Sequence, residues 1–189
     1  MAIVFVLHSY HPSFSSQKDI NLWMGSAGAV RFGAKPAVGA LRYLKFRDSY
    51  YVVASPIRWK PKSDKAKLKS VTVPKGFVTD LASIPRVFWS SLRPDGEYAY
   101  AAVIHDYLYW VQDRSRKEAD AIFLACMLDF KVSKTKAITI YNAVRLLGES
   151  YWNDNNLQKE RGDPRFSKRF PKDPTINWVD WRKDRKNVR

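Results

Sequence analysis

The feature that most restricts the fold is a change of period along the chain. Up to about residue 76 the apolar residues come in short runs. These are IVFVL at 3–7, AVRF at 29–32, LRYLKF at 41–46, YYVVA at 50–54 and SVTV at 70–73. Gly28, Gly33, Pro36, Gly39, Pro56, Pro74 and Gly76 punctuate them. Runs of this length bounded by glycine and proline predict strands, and LRYLKF alternates as a half-buried strand does. From about residue 97 the spacing becomes three and four, and EYAYAAVIHDYLYWVQD predicts a first helix. Ser115 followed by Glu118 is a capping box that opens a second helix through ADAIFLACMLDF. Ser133 stands where it can cap a third, with Ala137, Tyr141, Val144 and Leu147/Gly148 on one stripe.

Strands first and helices afterwards predict an α+β fold. In it an N-terminal antiparallel β-sheet packs on a C-terminal antiparallel helix pair plus a third helix, followed by a basic C-terminal tail. The short turns between helices favour antiparallel neighbours. The expected organisation is one α+β domain over 1–150, strand-rich over 1–70 and helical in its 71–150 part. An irregular tail over 151–189 follows. From residue 156 onward the chain has 11 basic and 5 acidic residues, with Trp178 and Trp181 as the large anchors through which the tail would order. KPKSDKAKLK at 60–69 reads as an exposed loop.

A chain of 189 residues that is 46% hydrophobic can build a core without metal or disulfide staples. Cys126 is the single cysteine, which excludes an internal disulfide and fits a reducing compartment. The opening MAIVFVLHSYHP has no basic residue ahead of its apolar run and no small-residue cleavage site, so it reads as a strand rather than a signal peptide. No apolar run approaches the roughly 20 residues that span a bilayer. Thirty-three Lys and Arg against 18 Asp and Glu give a net charge of +15. That field attracts anionic membrane surfaces, acidic proteins or nucleic acid, and does not choose among them. No zinc-finger spacing or RNP signature accompanies it.

The residues able to carry chemistry lie in HDYLY at 105–109 and in the helix after it. His105 and Tyr109 are four apart and share a face. Asp120 shares a stripe with Phe123, Leu124 and Met127, where a carboxylate is costly unless paired. If the first two helices pack antiparallel, Asp120 faces His105. A histidine held by a buried aspartate, with its other nitrogen free, is a general-base arrangement. Asp106 beside it offers oxygen to a hard cation. The structural alternative pairs Asp120 with Arg114, Arg116 or Arg145 and leaves His105 a hydrogen-bonded core residue. Upstream, Asp80 and Ser83 lie in the turn-rich VPKGFVTDLASIPRVFW at 73–89, either as site residues or as turn and cap residues. No G-x-S-x-G elbow surrounds Ser83.

Four blocks in order, GFVTDLASIPRVFW, AAVIHDYLYW, RKEADAIFLACM and YNAVRLLG, resemble the domain-of-unknown-function family numbered 1353. The resemblance covers about residues 70–150. It implies a phage or prophage origin, in the host cytoplasm or the virion, and implies no established activity. HDYLY also resembles the His-Asp-x-x-Tyr helix of the phospholipase A2 superfamily, and ADAIFLAC resembles the segment around that superfamily's orienting aspartate. This implies His105 as base, Asp120 and Tyr109 as its supports and calcium on Asp106. The chain departs from the secreted phospholipases in having one cysteine, Leu108 where many have another, and no recognisable glycine-rich calcium loop. The leading expectation is therefore a calcium-assisted lipid ester hydrolase acting at an anionic membrane. Two others stand beside it. One is a non-enzymatic virion, tail or assembly component with a structural His–Asp pair and an acidic phage or host protein as partner. The other is a nucleic-acid binder.

Overall fold

A computed structural model describes residues 37–38, 41–62, 68–81 and 98–189. The runs at 3–7 and 29–32, Ser83 and residues 63–67 of the loop at 60–69 lie outside the described residues. The strands are β1 (Ala37–Val38), β2 (Tyr43–Lys45), β3 (Tyr51–Val53), β4 (Ile57–Trp59), β5 (Val71–Val73) and β6 (Val78–Thr79). The helices are α1 (Ala99–Val111), α2 (Arg116–Asp129), α3 (Lys134–Glu160) and α4 (Trp178–Trp181). The fold is α+β, with antiparallel pairing among the strands ahead of the helices.

Where one sheet was expected, the described strands form two. Their orders are β1-β4-β5 and β2-β3-β6. The chain changes sheet between β1 and β2, between β3 and β4, where Pro56 lies, and between β5 and β6, where Pro74 lies. Proline has no N–H with which to continue a ladder, so each proline ends one pairing and the next strand starts another. In the first sheet, Ile57 and Trp59 are buried around exposed Arg58, and Val71 and Val73 around exposed Thr72. Opposed residues Ile57↔Val73 and Trp59↔Val71 then share the inner face. β6 arises from FVTD, which reads as a turn-rich stretch in the sequence.

The helices follow their sequence signals closely. Ser115 Oγ accepts the Glu118 amide at 3.2 Å, as the capping box requires. Gln112 closes α1 in a left-handed conformation (φ 54°), its amide bonded to the Leu108 carbonyl. Side-chain contacts pair Tyr109 with Asp120 and His105 with Phe123. These pairs recede from the turn in opposite chain directions, as in antiparallel helices. Ser133 precedes α3 but makes no side-chain cap.

The C-terminal region departs from the expected boundary at 150. The helix runs through it to Glu160, because nothing after Gly148 breaks it before Gly162 (φ 74°) and Pro164. Residues beyond Pro164 order against the sheet of β2, β3 and β6. Val78 donates to the Arg165 carbonyl at 2.9 Å and Ser167 to the Gly76 carbonyl at 2.7 Å. Gly76 (φ 90°) is required there, because a Cβ would stand 2.3 Å from the Ser167 carbonyl oxygen. Trp178 is the anchor: it is buried among Phe46, Val52, Val78 and Val188, and its amide donates to Asp48 at 3.0 Å. Trp181 Nε1 donates to Ser167 Oγ at 2.9 Å.

Candidate functional site

Helices α1 and α2 pack on each other and on α3, while α1 also meets β5 and β6. That arrangement buries His105 and Asp120 completely enough that each needs an internal partner (1% and 0% exposed). They supply each other: His105 Nε2 lies 2.9 Å from Asp120 Oδ1. Tyr109, one turn after His105, donates its hydroxyl to the same oxygen at 2.7 Å. The His105 ring stacks on Phe123, with centroids 4.5 Å apart. The three side chains that the sequence brings together on spacing meet at one carboxylate.

The other oxygen of Asp120 is taken by arginines. Arg145 Nη1 of α3 donates to Oδ2 at 2.6 Å, and Arg116 Nη1 approaches it at 3.4 Å. Burial works to raise the Asp120 carboxyl. The hydrogen bond and charge coupling with His105, followed by the bonds from Arg145 and Tyr109, outweigh it and hold the group below its ordinary value. Asp120 is thus a carboxylate and an acceptor. Burial first, then the Asp120 charge, pushes the Tyr109 hydroxyl well up, so it stays protonated and donates.

A neutral imidazole facing an ionised carboxylate carries its proton on the nitrogen beside it, here Nε2, and its lone pair on the other, Nδ1. Nδ1 is buried and has no hydrogen-bond partner among the described residues. Such an orphan costs about 1–3 kcal/mol and calls for an explanation. His105 lines a cleft of ≈ 260 Å³, together with Asp80, Asp106, Tyr109, Gly148, Asp154 and Arg165 among others.

Asp106 Oδ2 accepts the hydroxyl of Thr79, whose oxygen also takes the Leu81 amide, so β6 is pinned to α1 beside the cleft. Asp80 pairs with Arg165 at 3.5 Å, and the Arg165 guanidinium lies over the rings of Tyr50 and Trp110. Ser83 lies outside the described residues. The structure therefore gathers His105, Asp106, Tyr109, Asp120 and Asp80 around one cleft and its wall. The sequence reading missed Thr79, Gly148 and Arg165, and named Arg145 and Arg116 only as structural partners. An arginine in the apolar stripe of YNAVRLLG was the available signal for Arg145.

A calcium ion on Asp106 would need further oxygen donors around it. Among the described residues no group of three or more His, Cys, Asp or Glu side chains is placed to hold a metal ion. One Asp106 oxygen is engaged by Thr79 and Asp80 is drawn to Arg165. A calcium ion there would compete with Thr79 and Arg165 for these oxygens.

Comparison with known proteins adds a family and no activity. Neither the curated proteins nor the solved structures contain a match to this chain. Residues 51–144 match the family described as "Protein of unknown function (DUF1353)". The match begins at β3 and ends within α3, so it takes in β6, His105 and Asp120 and stops one residue short of Arg145. Through this segment the chain belongs to the DUF1353 family.

Proposed function

We propose that the chain is a hydrolase in which His105 activates water. The observation that carries this reading is the Nδ1 of a cleft-lining histidine, without a partner among the described residues, whose Nε2 is held 2.9 Å from a buried carboxylate. Nδ1 takes a proton from water while the hydroxide adds to an ester carbonyl, and Asp120 stabilises the imidazolium that forms. Collapse of the adduct breaks the acyl–oxygen bond. The imidazolium returns the proton to the departing alkoxide, giving an acid and an alcohol. Tyr109 holds Asp120 in place throughout.

A lipid ester is the favoured substrate class, by the phospholipase A2-like arrangement of His105, Asp120 and Tyr109. The charge of +15 favours an anionic membrane surface as the partner. Among the described residues no helix is long and apolar enough to cross a membrane. The phage or prophage origin, with action in the host cytoplasm or from the virion, belongs to this reading, as does calcium supplied through Asp106. The test is fatty-acid release from anionic phospholipid vesicles with calcium and with chelator. The expected result is release that His105→Ala abolishes while the variant keeps a cooperative unfolding transition. Equal release by a folded His105→Ala chain would sink the mechanism. Undiminished release in chelator would remove calcium alone.

A second reading is a non-enzymatic virion, tail or assembly component held together by this cluster. It is favoured by the four donors that converge on Asp120 from three helices. It expects His105→Ala to destabilise the chain without costing any turnover, and the wild-type chain to co-purify with particles. The basic surface also leaves open a nucleic-acid partner. Its mark would be affinity that falls steeply with salt and ignores His105.

A further inference from the structure

The cleft holds a buried guanidinium, Arg165, and the end of the third helix puts it there. Helix α3 closes on a glycine cap. The Gly162 amide donates to the Lys159 carbonyl at 2.9 Å and the Asp163 amide to the Gln158 carbonyl at 3.0 Å. Gly162 takes φ 74°, and Pro164 prevents the helix from continuing. The chain turns back to β6, where the Arg165 carbonyl accepts the Val78 amide at 2.9 Å and Phe166 bridges to Phe77. The backbone that carries the guanidinium is thus fixed beside the cleft that His105 lines. We infer that Arg165 is a specificity-determining residue, which holds the singly charged phosphate of a phosphodiester-bearing ester in this cleft. The inference rests on the hydrolase reading for the ester, and its test reads binding and cleavage separately.

Arg165 is 9% exposed, and a guanidinium does not shed its proton, so a full charge is buried. Its flat faces are provided for. The rings of Tyr50 and Trp110 lie with centroids 5.5 and 5.9 Å from Cζ. The edge is less well served. Asp80 Oδ2 stands 3.5 Å from Nη2, beyond the roughly 2.7–2.9 Å of a charge-assisted bond. Nε is buried without a hydrogen-bond partner among the described residues. Guanidinium donors lie in one plane and match two oxygens of one phosphate, a geometry that the ammonium of lysine does not offer. A buried fork with one long contact and one unpartnered donor suits an anion that enters from the cleft.

The charges around the cleft select the anion. Asp80, Asp106 and Asp154 line it beside Arg165. These carboxylates repel a doubly charged phosphate more than a singly charged one. A phosphodiester carries one charge at neutral pH, whereas a phosphate monoester approaches two. Tyr50, Val144 and Tyr151 on the same walls give hydrocarbon a surface to lie against, which favours a lipid diester over that of a nucleic acid. In a glycerophospholipid only the glycerol carbons separate the ester from the phosphate, so both groups enter one cleft of ≈ 260 Å³.

The test is a titration of the full chain with dihexanoyl phosphatidylglycerol below its micelle concentration, followed by calorimetry and by the Arg165 Nε–H signal in NMR. Chelator is present, so the phosphate is held by protein groups alone. The Nε–H signal is expected to move downfield, and Arg165→Gln to weaken binding by about tenfold or more. Dihexanoylglycerol, with the same esters and no phosphate, should bind parent and variant alike. Arg161→Gln removes the same charge from an exposed position and should stay within about twofold of the parent. Binding that Arg165→Gln leaves unchanged, or an Nε–H signal that does not move in the saturated parent, overturns the inference. If Arg165→Gln does not fold, the parent's Nε–H signal and Arg165→Lys decide. The lysine variant keeps the charge and loses the fork, so weakened binding supports the inference and unaltered binding overturns it. Tighter binding of glycerol phosphate, or of a thymidine dinucleotide, than of the lipid would overturn the lipid diester in favour of a free phosphate or a nucleic acid. A lipid held through Arg165 but not cleaved, with or without calcium, leaves the inference standing and removes the hydrolase reading. Cleavage whose KM ignores Arg165→Gln does the reverse.

Discussion

Gly148 on α3 faces the Tyr109 hydroxyl on α1 so closely that a β-carbon at this position would lie 2.5 Å from the phenolic oxygen. A glycine inside a helix costs about 0.5–1 kcal/mol relative to alanine, so Gly148→Ala would ordinarily stabilise. Here the gain is set against the Tyr109–Asp120 hydrogen bond, a bond to a charged group worth about 1.5–3 kcal/mol. The bond is the larger quantity, and Gly148→Ala is expected to destabilise by about 1 kcal/mol. In a Tyr109→Phe background the oxygen is gone, and the next ring atom is 3.5 Å from the added carbon, an ordinary contact. There Gly148→Ala should become neutral or stabilising. Denaturant unfolding of the four chains measures the coupling, and additive effects would show that the two residues do not compete for this space.

The helix pair was legible because its signals are local. Ser115 and Glu118 fix a start, and the four-residue spacing of His105 and Tyr109 fixes a face. Asp120 on an apolar stripe demanded a partner, and antiparallel packing left few choices. On the arginine side of the cluster the sequence offered Arg114, Arg116 and Arg145 as partners of Asp120 but did not show which of them it takes. Arg116 and Arg145 sit among many basic residues in a chain of net charge +15, so neither stands out. The division into two sheets was marked by Pro56 and Pro74, yet the same prolines also read as simple loop punctuation. β6 was missed because two residues of strand have no period to detect, and its pairing comes from β3 and from residues 165–167 far along the chain. The order of the C-terminal segment depends on Trp178 finding Phe46 and Val52, a long-range contact that composition does not reveal.

The lowered Asp120 carboxyl makes stability depend on pH in a definite direction. Because its folded-state value lies below its unfolded one, the group adds stability that is present above the ordinary carboxylate range of about 4. That contribution is lost as the pH falls through the folded-state value. Asp120→Asn should cost about 3 kcal/mol at neutral pH, since it leaves Arg145 and the buried part of Arg116 without their carboxylate. The difference between parent and variant should close as the pH falls below about 4, where the parent loses the same charge. Thermal unfolding at a series of pH values checks this. A gap that stays constant down to the acid limit would mean that Asp120 stabilises through shape alone.

Trp178 offers a way to ask whether the C-terminal segment belongs to the site or only covers the sheet. The segment contributes Arg165 to the cleft, where the guanidinium lies over Tyr50 and Trp110 and meets Asp80. Its main-chain pairing with residues 76–78 is short, so the side chain of Trp178 in the Phe46–Val52–Val78–Val188 cluster must supply much of the holding force. Trp178→Ala is expected to cost about 3–5 kcal/mol, the usual range for emptying a fully buried tryptophan site. Trp181→Ala, at a partly buried position, should cost less. The informative comparison is in hydrogen exchange. If the segment folds as part of the body, Trp178→Ala should speed exchange of the Val78 amide, which donates to Arg165, as much as that of Ser167. It should also disturb the ring signals of Tyr50 under the guanidinium. If Ser167 alone becomes labile while Val78 and Tyr50 are untouched, the segment is an appendage, and Arg165 reaches the cleft without being held there by its own tryptophan.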